Sequence, residues 1–222
     1  MNILFLGLFL LFDMSLVLLS FRLYGKTGLL VTYILHIFMS QLTINIPYSI
    51  FHYTTIIGSC FYAVLFLTVD MLNEHYGKEE ANKVVNYGVF TLIVLFTIFF
   101  FIRLLIKENV DNYSIELLDL TKNQLRIIVV DILISYFLFQ KVNVLLFDKI
   151  KARTGEKMLW LRNNVSTIIS QVFTAIMFYE LSFAGILSQK RIWQIIITGL
   201  IIKIIVSLFE TPFLYISKKI GG

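Results

Sequence analysis

The sequence predicts an all-α, polytopic membrane protein, a bundle of about seven transmembrane helices in a single domain over residues 1–222. Three observations carry that prediction. Hydrophobic residues make up 58% of the 222 positions and charged residues 15%, with a mean hydropathy of +0.84, whereas a soluble domain carries roughly 25% charged residues. Such an apolar excess does not fit inside one core of this size, so lipid must solvate much of the surface. The apolar residues also fall into seven runs of roughly the twenty residues that a helix needs to cross a bilayer. Finally, two prolines, eleven glycines and one cysteine leave no flexible linker, low-complexity tail, disulfide framework or cysteine metal site.

The first run, 3–21, follows Met1 and Asn2 with no basic leader region and no small-residue cleavage site, so it is expected to be a retained span rather than a signal peptide. Asp13 is its one charge. The second, 29–48, holds His36 and Asn45, and the third, 54–73, runs into Asp70, Asn73 and Glu74 before a stop at Gly77. The fourth covers 84–106. The fifth, 124–147, carries Asp131 and Ser135 at i, i+4, and the sixth, 163–187, carries a row of polar side chains and Glu180. The seventh, 192–217, holds Lys203 and Glu210. The longest connections, 107–123 and 148–162, are too short to fold as separate domains. Tyr24, Tyr48, Tyr53, Tyr76, Trp160, Trp193 and Tyr215 are placed for the interfacial belt, as are His52 and His75.

Orientation follows from Lys and Arg. With seven spans, loops one, three and five and the C-terminal tail share a side holding Arg22, Lys26, Lys78, Lys83, Lys141, Lys149, Lys151, Arg153, Lys157, Arg162, Lys218 and Lys219. The other side holds Arg103, Lys107, Lys122, Arg126, Lys190 and Arg191. Excess positive charge marks the cytoplasmic side, so the N-terminus is expected outside and the C-terminus inside. The formal charge of +5 does not suggest a nucleic-acid partner, because the basic residues sit between apolar runs rather than on one soluble face.

A charge or amide at membrane depth costs a few kcal/mol and is functional by default. Asp70, Asn73 and Glu74, spaced i, i+3, i+4, share a helical face; the bland reading is a solvated helix end, which suits Glu74 better than the deeper Asp70. In "LWLRNNVSTIISQVFTAIMF", 159–178, Asn163, Ser166, Ser170 and Thr174 recur along one stripe beside Asn164, Thr167 and Gln171. Ser and Thr there can bond back to their own carbonyls, but an amide such as Gln171 is costly to strand, so the stripe should face a cavity or a partner helix. Lys203 can form a structural ion pair with Asp131 or Asp70. His36 fits a hydrogen-bonded packing role and Asp13 has the least specific context. Three scattered histidines give no metal-ligand spacing, and no phosphate loop or nucleophile motif appears, so neither an enzyme nor a cofactor is expected.

Three segments in order carry a resemblance: "DMLNEHYGKEEA" (70–81), "KARTGEKMLWLRNNVSTIISQ" (151–171) and "KIIVSLFETPFLY" (203–215). The chain resembles the queuosine precursor transporters, also classed as vitamin uptake transporters, over roughly residues 40–217. The resemblance implies import of 7-cyano-7-deazaguanine, 7-aminomethyl-7-deazaguanine or queuine across the cell inner membrane, for tRNA modification, by a secondary transporter. It carries over Asp70, Glu74, Trp160, Arg162, Asn163, Ser166, Gln171, Lys203 and Thr211. The chain departs from the family in adding one N-terminal span to the usual six, and in having Phe173-Thr174-Ala175 where many members place an Asp after Ser-Gln. Together, residues and resemblance give a substrate-binding set of Asp70, Asn73, Glu74, Asn163, Ser166, Ser170, Gln171, Asn45, Asp131 and Lys203, with Arg162, Trp160 and Thr211 in gating or structural roles. The expected partners are the 7-deazapurine and membrane lipid, with a homo-oligomer left open. Two other readings stand beside this one: a substrate-binding membrane subunit that needs a separate ATP-driven module, and a structural membrane protein that transports nothing.

Overall fold

The computed structural model describes residues 2–50, 53–107, 112–155 and 157–221; His52 lies outside them. The elements are α1 Asn2–Thr43, a β-hairpin of β1 Pro47–Ile50 and β2 Tyr53–Ile56, α2 Gly58–Tyr76, α3 Lys78–Lys107 and α4 Asn112–Val130. A π-helical segment, Asp131–Gln140, then leads directly into α5 Lys141–Thr154, followed by α6 Leu159–Phe183 and α7 Gln189–Gly221. Five of the described helical stretches are long and apolar enough to cross a membrane, and α2 is not among them.

Helix α1 is no single rod. Gly25 has φ 56° and ψ −132°, a left-handed backbone open to glycine at little cost. The chain doubles back there. Gly28 lies against the Ser20 backbone so closely that a Cβ would overlap it, and His36 reaches back to Asp13 at 3.0 Å. The expected first and second segments are therefore the two arms of one helical hairpin.

The expected second segment overran its helix. α1 stops at Thr43, and the antiparallel hairpin pairs Pro47 with Ile56 and Ile50 with Tyr53. Pro47 lacks the N–H needed to extend the helix, and β-branched Ile46, Ile50, Thr54, Thr55 and Ile56 suit a strand. The apolar count merged this stretch with the spans on either side. The expected connection 107–123 likewise proves partly helical, because α4 already begins at Asn112.

α2 is the central element. It is buried from Gly58 to Asn73 apart from half-buried Phe61, as expected of a helix that is apolar all round. At its start Gly58 meets α1 so tightly that a Cβ would lie 2.6 Å from the Ser40 carbonyl oxygen and 2.9 Å from the Ile44 Cα. At its end Gly77 takes φ 85° and its N–H bonds the Asn73 carbonyl at 3.2 Å, the stop expected from sequence. The large core gathers Phe66, Leu67, Met71 and Leu72 of α2 with Met14, Tyr33, Val85 and Phe147. α3 instead turns Phe90, Ile93, Ile98, Phe101 and Leu105 outward, a lipid-facing surface. The protein is thus a multi-pass membrane helical bundle.

Contacts sort its two ends. At one end Lys26 pairs with Glu80, Lys78 with Asp148 at 3.7 Å, and Glu74 with Lys151 and Lys218. At the other, Arg126 donates to the carbonyls of Leu181 and Ala184, and Asn45 donates to Gln124. The loops expected to share the basic side do meet at one end.

Candidate functional site

A small pocket, with a cavity volume of about 20 Å³, lies toward the hairpin end. Five elements build it. The second arm of α1 gives Ser40 and Gln41, and α2 gives Ser59 and Tyr62. The π segment presents Asp131 and Ser135, α6 supplies Thr174, Phe178 and Tyr179, and α7 supplies Lys203. Gln41 Nε2 donates to Asp131 Oδ2 at 2.5 Å, and Gln124 Nε2 in turn donates to Gln41 Oε1 at 3.1 Å. The Lys203 ammonium sits over the Tyr62 ring, 4.7 Å from its centroid, and 6.0 Å from that of Tyr179.

Asp131 and Lys203 therefore line the same cavity, yet no direct ion pair joins them among the described residues. The structural ion pair considered from sequence is not formed. Two opposite charges kept apart in an apolar interior are expensive, and a polar ligand between them would offset that cost. The acid accepts, the ammonium donates, and Tyr62, Phe178 and Tyr179 line the same wall.

The π segment sets this alignment. Asp131 and Gln140 are nine residues apart, about two and a half turns of an α-helix, which would put them on opposite faces. In the wider π turn nine residues make about two turns. Asp131, Ser135 and Gln140 accordingly share the buried face.

A second polar layer lies deeper. Asp70 is fully buried and accepts from Asn143 Nδ2 at 2.8 Å and Thr167 Oγ1 at 3.3 Å, while Asn73 Nδ2 donates to the Val144 carbonyl at 3.2 Å. Glu210 is also buried, and its Oε2 has no hydrogen-bond partner among the described residues. On α6, Asn163 and Asn164 both donate to Thr211 Oγ1, at 3.3 and 2.8 Å.

Below that layer the bundle is tied shut. Glu74 receives a two-pronged contact from Arg162, 2.6 Å from Nη2 to Oε1 and 3.1 Å from Nε to Oε2. Lys218 and Lys151 approach the same carboxylate at 3.0 and 3.4 Å. Arg162 is wholly buried, donates also to the Gly155 and Lys157 carbonyls, and lies over the Phe147 ring. Four elements, α2, α5, α6 and α7, meet in this knot.

The sequence-derived candidates thus separate by layer. Asp131 and Lys203 line the cavity; Asp70, Asn73 and Asn163 sit in the deeper layer; Glu74 and Arg162 form the knot. The α6 stripe does face inward, with Ser166, Ser170 and Gln171 buried. Ser166 bonds back to the Arg162 carbonyl at 2.7 Å, and of the stripe only Thr174 lines the cavity. Asn45 is exposed in the turn before the hairpin, and Trp160 is exposed, its backbone N–H 3.4 Å from the Tyr215 hydroxyl. His36 is buried and hydrogen-bonded as expected, to the Thr32 carbonyl and to Asp13.

Gln41, Ser59, Tyr62, Tyr179, Gln140 and Asn143 escaped the sequence reading. Gln41, Gln140 and Asn143 were findable as amides inside apolar runs; the alignment of Gln140 with Asp131 was not, because helical spacing of the α type puts the two on opposite faces.

Comparison with known proteins gives a consistent picture. The model of a family described as "Putative vitamin uptake transporter" matches residues 56–217. A protein of Bacillus subtilis (strain 168) named "Probable queuosine precursor transporter" is 30% identical over 204 residues, covering 91% of this chain and 89% of that protein. No solved structure matches the chain.

Proposed function

We propose, from the premise that this chain belongs to the vitamin uptake transporter family, that it imports queuosine precursors across the cell inner membrane as a secondary carrier. The candidate cargoes are 7-cyano-7-deazaguanine, 7-aminomethyl-7-deazaguanine and queuine. What supports the reading most is the unpaired arrangement of Asp131 and Lys203 around one aromatic-walled cavity. A 7-deazaguanine presents a ring N–H beside an amino group on one edge, and a carbonyl next to them. A carboxylate suits the two donors and an ammonium suits the carbonyl. A site so built disfavours rings lacking those groups, because its own buried polar atoms would then go unpaired.

Asp70, Asn73, Asn163, Ser170 and Gln171 form the next layer along the same route, and Glu74 with Arg162 acts as its inner gate. In this reading the N-terminus lies outside and the C-terminus inside, so the cavity is on the outer half and the ionic knot on the cytoplasmic half. The test is uptake of 7-cyano-7-deazaguanine by a host with no precursor transporter of its own. Expression of this chain should confer uptake, and Lys203→Met should remove it at unchanged membrane abundance. Full uptake by the Lys203→Met protein would remove the cavity from the mechanism.

A further inference from the structure

Gln140 is fully buried, yet neither its Nε2 nor its Oε1 has a hydrogen-bond partner among the described residues. An amide left so is destabilising, because it gave up its water without gaining a partner, so its neighbourhood calls for an explanation. Its position is specific. The π segment holds it on the face that Asp131 and Ser135 present to the cavity, one turn deeper. Its depth is bracketed by contacts of its own helix with α6: Phe139 stacks on Phe173 at 6.0 Å, and Asn143 and Thr167 meet at Asp70. Gln140 therefore lies between the cavity and the Asp70 layer. At about the same depth on α6, the Ser170 Oγ is likewise buried and unpartnered.

We infer that Gln140 is a ligand-contacting, specificity-determining residue, with Ser170 at a similar depth on α6, that reads the cyclic amide edge of a planar heterocycle. A primary carboxamide is the complement of a ring N–H adjacent to a ring carbonyl: Oε1 accepts the N–H while Nε2 donates to the carbonyl. Charge is not needed for that pairing, so Gln140 serves a neutral ring that has left the charged cavity above and not yet reached Asp70. The π turn is the device that strings Asp131, Ser135 and Gln140 along one route.

This inference rests on the transport reading, and the experiment separates the two. Wild type and Gln140→Met are expressed in the transporter-deficient host, and uptake of labelled 7-cyano-7-deazaguanine is competed with two unlabelled rings. One is 7-deazaguanine; the other is its 6-deoxo counterpart, which lacks both the ring N–H and the carbonyl. Gln140→Met should weaken competition by 7-deazaguanine about tenfold or more, the loss of two ordinary hydrogen bonds, and leave the 6-deoxo ring unchanged. An equal loss for both rings, or no loss for either, overturns the assignment. Absence of uptake by the wild type overturns the transport reading instead, and this inference with it. The ligand-free melting temperature of the purified full chain gives an independent check. Gln140→Met should melt at or above wild type, since the change removes a stranded amide; a clear drop would mark a structural hydrogen bond and refute the proposal.

Discussion

At the scale of single residues, the cavity chemistry rests on two charges that do not touch. Asp131 is steadied by Gln41 at 2.5 Å and Lys203 rides over Tyr62 at 4.7 Å. Asp131→Asn should lower uptake at least tenfold, since a neutral amide cannot accept from two ligand donors as a carboxylate does, at membrane abundance equal to wild type. Asp70→Ala should abolish uptake too, for a different reason: it strands Asn143 Nδ2 in the deeper layer, so its melting temperature falls as well. Measuring uptake and melting together separates the two roles. Much of this was legible in the sequence, because Asp70, Asp131 and Lys203 are charges inside apolar runs and the bilayer makes such charges conspicuous. Their partners were less legible. Gln41, Tyr62 and Asn143 acquire meaning only from residues far along the chain, and no local pattern announces such pairs.

At the scale of elements, the proposed inner gate is a meeting of four helices on one carboxylate. Arg162 is wholly buried, and removing Glu74 leaves it uncompensated. Breaking a buried pair by deleting one member costs about 3–5 kcal/mol. Glu74→Gln should therefore destabilise the purified protein markedly, read as a lowered melting temperature, whereas Lys151→Met, half-exposed and 3.4 Å away, should change it little. α7 carries a proline near the same end. Pro212 lies inside that helix and denies the Leu208 carbonyl its usual partner, just ahead of the turn where Lys218 reaches Glu74. Pro212→Ala should raise the melting temperature and slow transport by stiffening this joint. The sequence predicted the helical stretches by their apolar length, and Gly77 as a stop. It placed a turn between the first two spans, where α1 folds back at Gly25, but did not reveal the hairpin at 47–56, because a hydropathy window cannot distinguish apolar strand from apolar helix. The π segment hid for a related reason: its residues have helical composition, and only the register of Asp131 against Gln140 betrays the wider turn.

At the scale of the molecule, the cavity lies toward the hairpin end and the Glu74 knot closes the other. A carrier exposes its site to one side at a time, and this arrangement is that of a bundle sealed at the basic end. Single cysteines should report the sidedness: in a Cys60→Ala background, Lys83→Cys should react with an impermeant thiol reagent only from the cytoplasm, and Lys190→Cys only from outside. Membrane class was plain from composition, and the grouping of basic loops at one end was legible from charge alone. The depth and layering of the route were not, since they depend on which helix faces which. The most direct measurement is uptake of 7-cyano-7-deazaguanine into vesicles containing the purified chain and no other protein. Accumulation by the wild type, lost in Lys203→Met, is the predicted result. No accumulation by a folded wild type that still binds the ring would contradict a self-sufficient carrier, and no binding at all would contradict the site.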